Sequence, residues 1–132
     1  MDKSDKIIVG ISIGDLNGIG IEVILKTFED KRMLEFCTPV IFGATKVISY
    51  HKKVLENETQ VHGITDISQA NSAKINVLNI WKEEVDIEMG KPTAISGEYA
   101  LKSLESAVNH LTENKIDVLI TAPINKENIQ SD

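Results

Sequence analysis

Ile7-Ile8-Val9-Gly10-Ile11-Ser12-Ile13 is a β-branched run with almost no polar alternation, and it stops at Gly14-Asp15. A strand written this way has no face for water, so it belongs in a parallel sheet covered on both sides. Similar apolar runs recur at 39–43, 75–80 and 117–121. Between them, apolar residues take helical spacing. Ile21, Ile24, Leu25 and Phe28 predict a helix from 19 to about 34, and Val47, Ile48, Tyr50, Val54 and Leu55 a weaker second one. Ala100, Leu101, Leu104, Ala107, Val108 and Leu111 predict a long third helix from 96 to about 114. Residues 57–74 are polar and read as connections, with one short strand near 61–64. The alternation predicts an α/β fold, a mostly parallel sheet flanked by helices with right-handed crossovers.

Composition narrows the function classes. Twenty acidic against fourteen basic residues give a net charge of -6, which argues against a nonspecific grip on DNA or RNA. It leaves room for a small anion held by one or two local cations. No apolar run reaches the ~20 residues that a membrane-spanning helix needs. The polar start, Met1-Asp2-Lys3-Ser4-Asp5-Lys6, lacks a secretory pattern, so the expected location is cytoplasmic. The single cysteine, Cys37, excludes an internal disulfide and reads as a small buried hydrophobe at the entry to a strand.

The most informative stretch is Gly14-Asp15-Leu16-Asn17-Gly18-Ile19-Gly20-Ile21-Glu22. Glycines between a buried strand and a helix permit positive φ and close approach of a ligand. The helix start adds free backbone N–H groups and a positive dipole end, which suit a phosphate or the edge of a nucleotide. The spacing is neither that of a Rossmann fingerprint nor that of a P-loop. The plainer reading is a tight turn in which Asp15 or Asn17 caps the helix. A second candidate is Asp117-Val118-Leu119-Ile120-Thr121-Ala122-Pro123-Ile124-Asn125-Lys126-Glu127, which puts polar groups at a strand's carboxyl end, where α/β enzymes bind ligands. Thr121 offers a hydroxyl there and Lys126 a point charge. Alternatively, Pro123 ends the strand, Asn125 caps a helix and Lys126 is solvated.

Both segments resemble one family. Gly14-Asp15…Gly18-Ile19-Gly20…Glu22 is similar to the first strand–loop–helix of the 4-hydroxythreonine-4-phosphate dehydrogenases, with Leu16 and Ile21 where that family usually has proline. It is also similar to the shorter Gly-Asp-Gly-Ile-Gly-Pro-Glu motif of isocitrate and isopropylmalate dehydrogenases. Thr121-Ala122-Pro123-Ile124-Asn125-Lys126-Glu127 resembles the same family's signature. Gly90-Lys91-Pro92, Ser96-Gly97-Glu98-Tyr99-Ala100 and Pro39-Val40-Ile41-Phe42-Gly43 match it in order between the two.

The resemblance implies an isocitrate/isopropylmalate dehydrogenase-like fold, incomplete here, with residues 1–132 as the amino-terminal α/β portion of a longer two-domain dehydrogenase. It implies NAD-dependent oxidation and decarboxylation of 4-phosphooxy-L-threonine to 3-amino-2-oxopropyl phosphate in pyridoxal phosphate biosynthesis. It further implies a divalent metal bound by histidines, one of them supplied across a homodimer interface. Gly14, Asp15, Asn17, Gly18, Gly20, Thr121, Asn125 and Lys126 become candidates for the wall of a substrate or cofactor cleft. Other phosphorylated hydroxy acids, aromatic dihydrodiols and a noncatalytic binding domain remain open alternatives.

His51, His62 and His110 have no ligand spacing and read as solvated or locally bonded. No catalytic residue or metal ligand is expected in this span; the ligands are expected beyond residue 132. Residues 124–129 read as a helix beginning, which fits an amino-terminal piece. The chain alone is therefore expected to reduce no NAD with 4-phosphooxy-L-threonine, while a longer form that includes it does. Turnover by the 132 residues, followed at the NADH absorbance, would show that the active site is misassigned.

Overall fold

The apolar runs pair into a single sheet. The computed structural model describes residues 6–83, 85, 87 and 93–122. Among these, β1 (Ile7–Ser12), β2 (Cys37–Gly43), β3 (Val61–Ile64), β4 (Ile75–Asn79) and β5 (Val118–Thr121) lie in the order β3-β4-β2-β1-β5, and every pairing is parallel. Helices α1 (Gly20–Phe28), α2 (Thr45–Leu55) and α3 (Ala94–Thr112) complete the α/β architecture.

Side chains alternate between two apolar layers, as the period of two demands. Val9 and Ile11 of β1, Ile41 of β2 and Val77 of β4 pack on one face with Ile21 and Leu25 of α1 and Val47 and Ile48 of α2. Val40 and Phe42 of β2 and Leu78 of β4 pack on the other with Ala107 of α3 and Ile116. Helices on both faces leave β2 buried at every residue, which explains its unbroken apolar run. The connections from β1 to β2 and from β2 to β3 step one way along the sheet through α1 and α2. The connection from β4 to β5 steps back through α3 on the opposite face, the arrangement that a single crossover hand requires.

Element boundaries move for identifiable reasons. The helix expected to run to about 34 stops at Phe28. Asp30 turns to extended backbone, and its carboxylate accepts from Arg32 N, capping a separate 3-10 turn at Lys31–Glu35. β2 begins at Cys37, ahead of Pro39, because the β4 ladder starts only at Val40. The Asn76 side-chain amide donates to the Pro39 carbonyl at 3.0 Å. α3 begins at Ala94, since Thr93 and Ser96 form a reciprocal capping box. Cys37 is buried as expected, and burial pushes its thiol above the usual range, with Lys6 opposing.

β1 has no Cβ at Gly10, and neighbours fill that space: a Cβ there would lie 2.4 Å from Ile116 Cδ1 and 2.8 Å from Phe42 Cε2. Gly10→Val should therefore lower the unfolding free energy by about 1–3 kcal/mol through overpacking. Urea denaturation measures this, and an unchanged midpoint would mean that the α3 layer is looser than its contacts indicate.

Candidate functional site

Parallel strands end together, so the loops that leave their carboxyl ends share one rim of the sheet. β1 and β5 are neighbours, with Ser12 opposite Thr121. The Ala122 N–H then donates to the Ser12 carbonyl at 3.1 Å, carrying the pairing one residue past β5. The glycine turn and the Thr121 strand end, 107 residues apart as the difference of their numbers from Gly14, therefore lie side by side. Thr121 is exposed at this rim. Asn125 and Lys126 lie outside the described residues.

The turn itself is closely held. Gly14 has φ 70, the left-handed conformation that favours glycine, and is the only described glycine with positive φ. Gly18 is there for another reason than φ. At Gly18 a Cβ would approach the Asp15 Cβ to 3.3 Å, while Gly20 is the first, buried residue of α1. Asp15 Oδ1 accepts from Asn17 N at 2.9 Å, and the Asp15 carbonyl accepts from Gly18 N at 3.1 Å. This corrects the capping expectation: the N-cap of α1 is Ile19, which has no side-chain acceptor, and the Asp15 carboxylate serves the turn itself. Asn17 is 2% exposed, and its amide reaches 3.4 Å from Thr93 Oγ1 at the start of α3.

Two buried side chains that the sequence pattern did not single out, Ser103 and His51, fasten this rim. Ser103 of α3 accepts from Ile13 N at 3.0 Å and donates to the Phe42 carbonyl at 2.5 Å, tying the ends of β1 and β2 to the helix above them. Ser12 is fully buried beside this junction, and its Oγ has no hydrogen-bond partner. His51 of α2 is also fully buried, with Nε2 2.7 Å from the Leu16 carbonyl. That overturns the solvated or local reading for His51, whose partner lies 35 positions away. His110 does bond locally, to the Ser106 carbonyl at 2.8 Å, and His62 is half-buried. No local pattern could have flagged His51, because its partner is a backbone atom on another element.

A second concavity, of about 1340 Å³, opens beyond β2 and β4, whose connections leave on opposite faces. Thr45, Lys46, Asn79, Trp81 and Lys82 line it. Much of its polar lining is paired internally. Asn79 Oδ1 accepts from Thr45 N at 2.7 Å, and Tyr99 donates to Glu83 at 2.7 Å, which holds the Tyr99 hydroxyl up to about 12. Trp81 stacks edge-on against Tyr99, with ring centroids 4.6 Å apart. This cluster pins the segment after β4 to α3 and frames the rim. Among the described residues, no three His, Cys, Asp or Glu side chains come together as metal ligands.

Burial holds the His51 imidazole below its ordinary value of 6.5, opposed by the Leu16 hydrogen bond and by Glu22 of α1. The unfolded chain then takes up this proton before the folded one does. The stability owed to neutral His51 is complete above about pH 6.5 and falls as the pH drops below it. Urea midpoints at about pH 7.5 and about pH 5 should therefore differ more for the native chain than for His51→Gln. Equal differences would remove His51 from the titration.

Known proteins resemble this chain in sequence and in fold. The family described as pyridoxal phosphate biosynthetic protein PdxA matches residues 35–132. A 4-hydroxythreonine-4-phosphate dehydrogenase of Bacteroides thetaiotaomicron is 45% identical over 130 residues, covering 98% of this chain and 36% of that protein. A protein of Oceanobacillus iheyensis with the provisional name D-threonate 4-phosphate dehydrogenase is 30% identical, covering 96% and 39%. The crystal structure of a 4-hydroxythreonine-4-phosphate dehydrogenase from Burkholderia phymatum superposes with a TM-score of 0.87 at 28% identity, covering 96% of this chain and 39% of that one. The chain thus spans well under half the length of these relatives, and the dehydrogenase fold anticipated from its motifs is the fold that it has.

Proposed function

Because the chain belongs to the pyridoxal phosphate biosynthetic protein PdxA family, we propose that it forms the amino-terminal α/β portion of a two-domain dehydrogenase. The reaction proposed is NAD-dependent oxidation and decarboxylation of 4-phosphooxy-L-threonine to 3-amino-2-oxopropyl phosphate. The working protein is a cytoplasmic homodimer in this reading. What carries it is the pairing of Ser12 with Thr121, which brings both motif segments to one rim.

The role of this chain is to bind and orient. The glycine turn presents the start of α1, whose N-cap supplies no side-chain acceptor, so its first amides suit an anionic group of substrate or cofactor. Exposed Thr121 offers a hydroxyl from the adjacent strand end. Buried Asn17 reaches half-buried Thr93 and ties the turn to the start of α3. Asn125 and Lys126 belong to the same wall in this proposal. NAD, when bound, accepts the hydride from the substrate's hydroxyl carbon. The described residues do not fit a divalent metal, so no step is assigned to one; its ligands are proposed to lie beyond residue 132.

The Oceanobacillus relative favours a second reading, in which the substrate is another phosphorylated hydroxy acid such as D-threonate 4-phosphate. In the longer protein, kcat/KM for NAD reduction should be higher with 4-phosphooxy-L-threonine than with D-threonate 4-phosphate. Thr121→Val should lower it by about ten-fold, the size of one lost hydrogen bond to substrate. The reverse preference would move the protein to the second reading. An unaffected Thr121→Val enzyme would place the substrate elsewhere.

A further inference from the structure

The described polar contacts that hold the glycine turn from outside come from α3 and α2. The α3 contact, from Asn17 to Thr93, is long at 3.4 Å. The α2 contact, from His51 to the Leu16 carbonyl, is short at 2.7 Å and completely buried. A carbonyl only accepts, so the hydrogen lies on His51 Nε2. The other ring nitrogen, Nδ1, is buried with no hydrogen-bond partner. The ring is thus a neutral imidazole held in one tautomer, donating to the turn and bearing an unused lone pair behind. A buried polar nitrogen without a partner costs free energy, and an aliphatic side chain would avoid that cost. The hydrogen bond to the turn is the compensating feature visible at this position.

We propose that His51 is the positioning residue of the glycine turn: its Nε2–H, donated from α2 to the Leu16 carbonyl, sets the orientation in which the turn offers its amides to an anion. Leu16 is itself fully buried, so its side chain anchors the apex in the core while His51 fixes the rotation of its peptide. The other end of that peptide, the Asn17 N–H, donates to Asp15 Oδ1 at 2.9 Å, so the peptide is held at both ends. The proposal rests on the reading that this turn lines the ligand cleft, and adds to it a residue that touches no ligand.

The test is made on the full chain with the native residue, His51→Gln, which keeps an N–H donor, and His51→Leu, which keeps bulk alone. Long-range nitrogen–proton NMR should show His51 as the Nε2–H tautomer. Amide exchange at Asn17 and Gly18, both hydrogen-bonded within the turn, should quicken by about ten-fold in His51→Leu. Exchange in β2 should change much less, and His51→Gln should restore most of the turn's protection. An Nδ1–H tautomer, equal acceleration in turn and β2, or a glutamine variant indistinguishable from leucine would each overturn the proposal. Titration with inorganic phosphate separates the underlying reading. If the Gly20 and Ile21 amides at the start of α1 do not shift in the native chain, the turn is not an anion site, while the tautomer and exchange results still decide what His51 does.

Discussion

Everything at the candidate site depends on β1 being sandwiched, with β2 on one side and β5 on the other. Its register against β5 puts Ser12 beside Thr121, and its register against β2 puts Ser12 beside Phe42. One buried hydroxyl, that of Ser103, joins the residue after β1 to Phe42. Burial on both faces makes a slip in this register costly, because it would turn every apolar side chain toward the wrong layer. The glycine turn inherits its position from that pairing.

A turn of this kind faces conflicting demands. Its glycines leave the backbone uncovered, yet it must remain ordered without a side-chain N-cap on α1. The structure resolves the conflict from behind. Asp15 closes the turn on itself, Leu16 fills the core, and His51 holds the Leu16 carbonyl. Polar satisfaction is thus concentrated on the buried side, leaving the start of α1 without a side-chain acceptor at its N-cap. On the far side of β1, β5 leaves Val118 and Ile120 exposed at the sheet edge. The relatives, at more than twice this length, have chain to spare for that edge.

Much of the fold was legible in the residues. The β1 and β2 runs, the long stripe of α3 and even the short strand at Val61–Ile64 follow from hydrophobic period and turn residues, which are local properties. Errors fell where a side chain bonds to backbone. Asp30 ended α1 early, Thr93 started α3 early, and the Asn76 side-chain amide bonded the Pro39 carbonyl at the start of the β4 ladder. The glycine turn was visible as a motif, but its internal bonding was misread: Asp15 and Asn17 resemble caps in sequence and bond to each other in space. Ser12, Ser103 and His51 carried no signal, since a buried serine or histidine is ordinary until its partner is known.

The amino-acid sequence by itself determined the α/β class, the sites of the strand–helix junctions and the family, because these rest on periodicities and motifs that lie within a few residues of one another. Tertiary structure alone decided which junctions meet. Strand order put β5 against β1 rather than at the opposite edge, and α2 packed where its histidine reaches Leu16. Both depend on contacts between residues far apart in the chain, chosen by how two apolar layers close over a single sheet.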